Sequence, residues 1–324
     1  RVERLGGIMA AIANKTPVTT TWGEKRLSSF DYAFKVVEDK DVNAFSLPGG
    51  YIYVNEGLVK YAESDDELMG VLAHEVAHAE MRHVATLQRE QEKLSTAQLP
   101  LLLAAIFSGN SETIGAVLTG TSLINMAKGS GWSVKAEQAA DFGGFQYMLK
   151  TDYDPTGMLT FMERLARDDR SKPQGFVDLG IFRTHPPGRE RADALVRYMT
   201  DSGMPIRRSH VAASFRATAK PVQGEQVEIL YGGRHVTTLA GPDSAERAGR
   251  VTERLNDFFD SMPELYDISF GPGGEILGRK QTLITITSLD AGALNKPTRD
   301  LQQEAVRNLR TALYNVAYRV WDAR

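Results

Sequence analysis

Ser64 to His83, SDDELMGVLAHEVAHAEMRH, is the stretch on which the reading of this chain turns. Ser64 followed by Glu67 forms a capping box, and Asp65 and Asp66 suit the positive end of a helix dipole. Leu68, Val71, Leu72 and Val76 recur at helical spacing, which predicts a long helix from about Asp65 into the eighties with one face buried. His74 and His78 lie four residues apart on it, so both imidazoles share one face, one turn apart, where they can share a metal. Glu75 sits beside them at the lip. Two histidines on an otherwise apolar face would each need a hydrogen-bond partner if they were only core residues, and a shared zinc explains both at once.

A catalytic zinc takes three protein ligands and keeps one position open. The 324 residues include no cysteine, which excludes a thiolate site, a disulfide scaffold and a cysteine nucleophile together. The third ligand must then be His or a carboxylate. Glu137, in Ala136-Glu137-Gln138-Ala139-Ala140-Asp141, is the best candidate, because it opens a second helix, from about Val134 to Leu149, that can pack on the first. Asp141, one turn later, faces the same side and can accept the free ring N–H of a ligand histidine, fixing its tautomer. The expected chemistry is hydrolysis with one Zn2+ per chain: the metal acidifies a water, Glu75 takes its proton, and Glu75 later returns it to a leaving amine. His83 follows His78 by five residues with no glycine between them, so the extended three-histidine pattern is not met and His83 reads as structural.

Composition narrows the partners. Lys and Arg number 38 against 41 Asp and Glu, without long runs of either sign, which argues against nucleic acid. The most apolar stretch, Leu99 to Phe107, is far shorter than the roughly 20 residues that cross a bilayer, so the chain reads as soluble. It begins at Arg1 rather than Met, an expectation of upstream processing. The absence of cysteine fits an oxidising compartment such as a periplasm and does not distinguish it from a cytosol.

Around the central helix, Val2 to Ile12 has helical spacing, and Tyr32, Phe34 and Val36 alternate as in a half-buried strand. Pro48-Gly49-Gly50 between Val42–Leu47 and Tyr51–Val54 marks a hairpin or tight strand connection. Ala97 to Lys128 is apolar, interrupted by Ser108-Gly109-Asn110-Ser111, and suits core, a lid over the site or a membrane-resting surface; Gly129-Ser130-Gly131 follows as a connector. Composition changes near Gly203-Met204-Pro205, where a domain boundary is placed, giving domains 1–205 and 206–324. Beyond it, QVEILY, RHVTTLA and TLITITSL alternate as strands, and Ala245–Phe259 and Thr298–Val320 are amphipathic helices with Asp243 and Thr298 as caps. That order predicts a small α+β domain.

Four motifs in order, NAFSLPGGYIYVNEGL, HEVAH, AEQAAD and THPPGRERADAL, resemble the HtpX and CAAX-prenyl-protease type of metallopeptidase, and more closely its soluble, membrane-associated bacterial branch. The resemblance covers about residues 1 to 200. It implies a gluzincin, that is, an α+β fold with a mainly helical zincin-type peptidase domain and a small edge sheet, and it implies Glu137 as third zinc ligand. It also implies that Asn43, Ala44, Phe45, Ser46, Leu47 and Pro48 form the edge strand on which an extended substrate lies. His185 matches a family histidine near the metal, able to stabilise an oxyanion or to cap the zinc, and Arg191 reads as an ion-pair partner in the scaffold. The implied partners are protein or peptide substrates, a peripheral membrane contact and a protein bound through the C-terminal domain. Envelope protein quality control is the expected setting, against rivals in which the zinc site is a scaffold for a chaperone-like binding protein or the C-terminal domain drives a structural interaction.

Overall fold

A computed structural model describes residues 1–19, 25–26, 30–83, 134–171, 185 and 188–315. The apolar stretch Ala97 to Lys128, the connector after it, the charged run beyond His83 and the end of the last expected helix lie outside these residues. The chain divides into two compact units, Arg1–Met204 and Pro205–Arg324.

The first unit opens with helix α1 (Val2–Ala13) and the short pair β1 (Val18–Thr19) and β2 (Lys25–Arg26). Strands β3 (Ala33–Val37), β4 (Ala44–Leu47) and β5 (Tyr51–Asn55) form a sheet in the order β3-β5-β4. β4 and β5 are the expected hairpin, with Ser46 opposite Ile52, turned by Gly49 and Gly50 at φ +96° and +88°, values that L side chains rarely adopt. β3 runs parallel to β5, a pairing that local pattern does not announce. Phe34 is buried against Gly6 of α1, whereas Val36 on the same strand is 52% exposed.

A short helix α2 (Glu56–Tyr61) leads into α3 (Asp65–Glu80). The Ser64 hydroxyl accepts from the Glu67 N–H at 3.1 Å, as a capping residue should. Only half of the capping box is made: the Glu67 carboxylate takes the N–H of Glu63 at 2.8 Å and the guanidinium of Arg164 at 2.5 Å. Arg164 lies on α5 (Thr156–Ser171), which follows α4 (Val134–Met148); α6 (Arg189–Asp201) closes the unit. α3 is the hub of the unit, packed against α1, α4 and α5, with Leu68, Met69, Leu72 and Val76 fully buried.

The second unit places α7 (Arg208–Val211) before an antiparallel sheet of β6 (Ala217–Pro221), β7 (Gln226–Tyr231) and β8 (Arg234–Ala240). Helix α8 (Ser244–Asp260) follows, then β9 (Ile268–Phe270), β10 (Ile276–Gly278) and β11 (Gln281–Ile284) in a second antiparallel sheet, and finally α9 (Ser288–Ala293) and α10 (Thr298–Leu313). Val227, Ile229 and Tyr231 alternate inward on β7, and Val251, Leu255, Phe258 and Phe259 meet them from α8. Of the two expected caps, Asp243 is found in position and Thr298 is corrected. Asp243 occupies the cap position of α8 without a capping hydrogen bond and leans towards Arg247 at 3.5 Å, and α10 is preceded by Pro297, so that Thr298 is its first helical residue.

The fully buried Asp290 ties this unit together, accepting from the N–H of Ala240 at 2.6 Å, the N–H of Thr287 at 2.7 Å and Arg247 Nη2 at 2.5 Å. Burial raises its carboxyl pKa, but the Arg247 guanidinium and the two amides overcome this and hold it below the usual carboxylate range. Asp290→Ala is expected to lower the unfolding free energy by about 3 kcal/mol, read from denaturant unfolding of the full chain. Because the folded-state pKa is depressed, the wild-type advantage is complete above the ordinary carboxylate pKa and disappears as pH falls through the depressed value.

Candidate metal centre

Two close approaches decide where the polar side chains of α3 and α4 meet. A Cβ on Gly144 would lie 3.1 Å from the backbone nitrogen of His74 and 3.2 Å from the carbonyl carbon of Ala73, and one on Gly143 would lie 3.1 Å from the Ala77 Cβ. The lack of side chains at these positions lets α4 lie directly on the His74–Ala77 turn. Glu137, two turns earlier on α4, is thereby brought over the His74–His78 face.

The result is a buried cluster. One donor atom from each of His74, His78, Glu137 and His185 lies within 4.8 Å of every other. His74 Nε2 is 2.9 Å from His78 Nε2 and 3.3 Å from His185 Nδ1. The Glu137 carboxylate is 3.4 Å from His74 Nε2, 3.3 Å from His78 Nε2 and 3.1 Å from His185 Nδ1. Donors at about 2.0–2.1 Å from a tetrahedral ion stand about 3.3–3.4 Å apart, so the spacing suits a four-coordinate dication, and the nitrogen and carboxylate donors are those that zinc accepts. Charge points the same way. Glu75, Glu137 and Asp141 are each 1% exposed and Arg191 is the basic side chain buried with them, which leaves a surplus of buried negative charge that a dication would neutralise.

Each donor is held by a second contact. His74 Nδ1 is 3.0 Å from Asp141 Oδ1, so its Nε2 faces the cluster. Arg191 clasps Asp141 through Nε at 2.7 Å and Nη2 at 2.8 Å, and its Nη1 reaches Glu137 at 2.9 Å. Desolvation works against ionised carboxylates here, but His185 and His78 hold Glu137 well below its usual range and Arg191 does the same for Asp141. The histidine pair is electrostatically asymmetric. Burial lowers both pKa values, yet hydrogen bonds to Asp141 and Glu137 bring His74 up to about 10, whereas His78 stays well below its usual value. Metal binding at these rings is therefore coupled to proton release.

Glu75 faces the same space, with Oε1 at 3.4 Å from His185 Nε2, and neither of its oxygens has a hydrogen-bond partner among the described residues. The structure thus gathers His74, Glu75, His78, Glu137, Asp141, His185 and Arg191 into one site. Ala44 to Leu47 form β4, which among the described residues pairs with β5 only and is an edge of its sheet. It packs against α3.

Sequence reading left His83 out of the site. α3 stops at Glu80, and Arg82 takes φ +53°, a left-handed value unusual for a side chain of this size, which turns His83 back under the helix. His83 Nδ1 lies 2.8 Å from His78 Nδ1, so one ring donates to the other, and the ring orientation of His78 is fixed as Asp141 fixes that of His74. Helical periodicity cannot signal this contact, because the contact exists only once the helix has ended.

Comparison with known proteins gives the site its class. Residues 20–199 match peptidase family M48, more than half of the chain. The chain is 31% identical over 200 residues, 59% of its length and 37% of the relative's, to a putative beta-barrel assembly-enhancing protease of Vibrio cholerae. It is 30% identical over 170 residues, 50% of its length and 34% of the relative's, to the Escherichia coli beta-barrel assembly-enhancing protease. To the mitochondrial metalloendopeptidase OMA1 of Schizosaccharomyces pombe it is 28% identical over 176 residues, 54% of its length and 49% of the relative's. The chain thus spans about a third to a half of the length of these relatives. The matched residues include His74, His78, Glu137 and His185, a cluster that could hold a divalent metal. The protein belongs to peptidase family M48.

His83→Ala is expected to weaken metal binding about 10- to 100-fold, measured by competition with a chromogenic chelator, although His83 is outside the four-donor cluster. Gly144→Val should weaken it by about tenfold as well, by lifting α4 off α3.

Proposed function

We propose that the protein is a zinc-dependent metalloendopeptidase of a bacterial envelope, in which His74, His78 and Glu137 are the zinc ligands and Glu75 is the general base. The observation that carries the proposal is the convergence of the three donors beside a buried carboxylate that has no hydrogen-bond partner among the described residues. A structural glutamate at 1% exposure would be expected to be paired, whereas a base that must accept a proton from water needs its lone pairs available.

Bound zinc would supply a Lewis acid that polarises a peptide carbonyl and acidifies water. The chain's own residues do the rest. Glu75 accepts the proton and passes it to the leaving amine, Asp141 and His83 fix the two ligand rings, and Arg191 keeps Glu137 and Asp141 ionised and aligned. Asn43 to Pro48 offers the open side of β4 to an extended substrate, which would add by main-chain hydrogen bonds. His185, with Nδ1 3.1 Å from the Glu137 carboxylate, either caps the metal in a resting state or stabilises the oxyanion that develops on the substrate.

The envelope setting is supported by the bacterial relatives named for β-barrel assembly, since closed barrels of that kind belong to outer membranes. No described helix is long and apolar enough to cross a membrane. The motif likeness to the HtpX and CAAX-prenyl-protease type is read here as membership of a membrane-associated bacterial branch, with residues 206–324 as an accessory domain that engages a protein partner. A second reading, a zinc-containing binding or chaperone-like protein, draws on the same His185 closure.

Metal content and casein hydrolysis of the wild type and three variants separate these readings. Expected are one zinc per chain and chelator-sensitive cleavage in the wild type, zinc with activity down by about 10³-fold or more in Glu75→Gln, and loss of both in Glu137→Ala. His185→Ala should keep zinc; inactivity of both the wild type and His185→Ala would favour the binding protein. Undiminished cleavage by Glu75→Gln would sink the mechanism.

A further inference from the structure

The second unit carries a groove of its own. β9 pairs with β10 and, among the described residues, with no other strand, so one side of it is an edge. The N–H of Gly271 donates to Glu275 at 2.7 Å and that of Arg279 to Asp267 at 2.9 Å. The alternation of an antiparallel ladder therefore turns the main-chain groups of Ile268 and Phe270 away from β10. α10 flanks this edge in the opposite sense: Arg310 Nη2 donates to the Ile268 carbonyl at 2.6 Å, while a Cβ on Gly274, beyond Phe270, would meet the Gln302 side chain. Between strand and helix lies an open groove of about 1000 Å³. Its lining is sorted along its length, with Tyr266 and Tyr314 at one end, Phe270 and Val306 at the other, and Arg307 and Arg310 between them. Tyr266 is 80% and Phe270 50% exposed, more aromatic surface than a solvated edge needs. No Asp or Glu among the described residues lines the groove, and the neighbouring acids Asp267 and Glu304 are bound to Arg279 and Lys296, each at 2.9 Å.

We infer that this groove binds an extended segment of a partner protein, which pairs with β9 and presents apolar, acidic and apolar side chains at alternate positions. The inference rests on the reading of residues 206–324 as a partner-binding domain and is independent of the peptidase reading. Side chains on one face of a strand repeat about every 6.7 Å, the period that Tyr266, Ile268 and Phe270 themselves follow. On α10, Val306, Arg310 and Tyr314 repeat every four residues, about 6 Å apart, so the two walls stay nearly in step. A strand laid along the edge thus brings every second side chain to an aromatic end, the cationic middle and the other end in turn. At the middle, Arg310 keeps further donors beyond the one given to Ile268, and with Arg307 it favours a carboxylate. At the ends, the tyrosine and phenylalanine rings favour apolar or aromatic side chains. The outward main-chain groups of Ile268 and Phe270 decide for a peptide, since strand addition uses them and an anionic lipid or nucleic acid would match the arginines alone.

The test uses the full chain as Glu75→Gln, so that no peptide is cut, and the end-blocked peptide Thr-Phe-Thr-Asp-Thr-Phe-Thr. Its Kd is read by fluorescence anisotropy, and its seat by photo-crosslinking from a benzoylphenylalanine in place of one Phe, mapped by mass spectrometry. Two controls, Thr-Phe-Phe-Asp-Thr-Thr-Thr, which has the same composition without the alternation, and the first peptide with Lys for Asp, should each bind at least about tenfold more weakly. Arg307→Glu should weaken the Asp peptide about tenfold and strengthen the Lys peptide by about as much, a reversal that misfolding cannot give. N-methylation of the Phe and Asp amides, or of the Thr amides, but not of both sets, should abolish binding, because a strand pairs through alternate amides. Cross-links confined to residues 1–204 would overturn both the groove and the partner-binding reading of the second unit. Cross-links within residues 206–324 but away from Tyr266, Phe270 and Tyr314 would overturn the groove alone. Equal binding of the Asp and Lys peptides would overturn it too, as would binding that needs removal of residues 316–324, which would give the groove to the chain's own end. Self-association that Arg307→Glu abolishes, without peptide binding, would assign the face to a second copy instead.

Discussion

The centre depends on the approach of α4 to α3 at Gly144, where hydrogen is the largest substituent that the His74 backbone tolerates without adjustment. Glu137 and Asp141 ride on α4, so their distance from the two α3 histidines is set by backbone contact rather than by flexible side chains. Donors carried by a rigid crossing of two helices lose little freedom when an ion binds, and this rigidity favours both affinity and a fixed coordination geometry.

That crossing also creates an electrostatic problem, because it concentrates Glu75, Glu137 and Asp141 in a volume closed to water. Arg191 resolves part of it by bridging Glu137 and Asp141. Glu67 and Arg164 repeat the logic away from the centre, as a buried carboxylate matched by one guanidinium.

Features that rest on local chemistry were legible in the amino-acid sequence. The Ser64 cap, the helix that carries His74 and His78, the Pro48-Gly49-Gly50 hairpin and the α4 helix around Glu137 follow from short-range rules. What escaped needed contacts between distant segments. The parallel partnership of β3 with β5, the diversion of Glu67 from its own cap to Arg164 and the return of His83 beneath His78 each require a partner whose position periodicity cannot give. Val36 shows the same limit, since alternation places it with Phe34 but only the latter meets α1.

His185 and Arg191 are separated by five residues of one segment, with Gly188 between them at the start of α6. Arg191 is anchored to both carboxylates, so even when withdrawn the histidine stays within the roughly 20 Å that the short segment can span. On the proposed reading His185 acts as an intramolecular competitor with a high effective concentration, which no dilution lowers. A peptide must outbid this resident side chain before it is cut, so weak encounters are ignored and a substrate that engages several subsites together is admitted. The tether thus converts an affinity into a threshold.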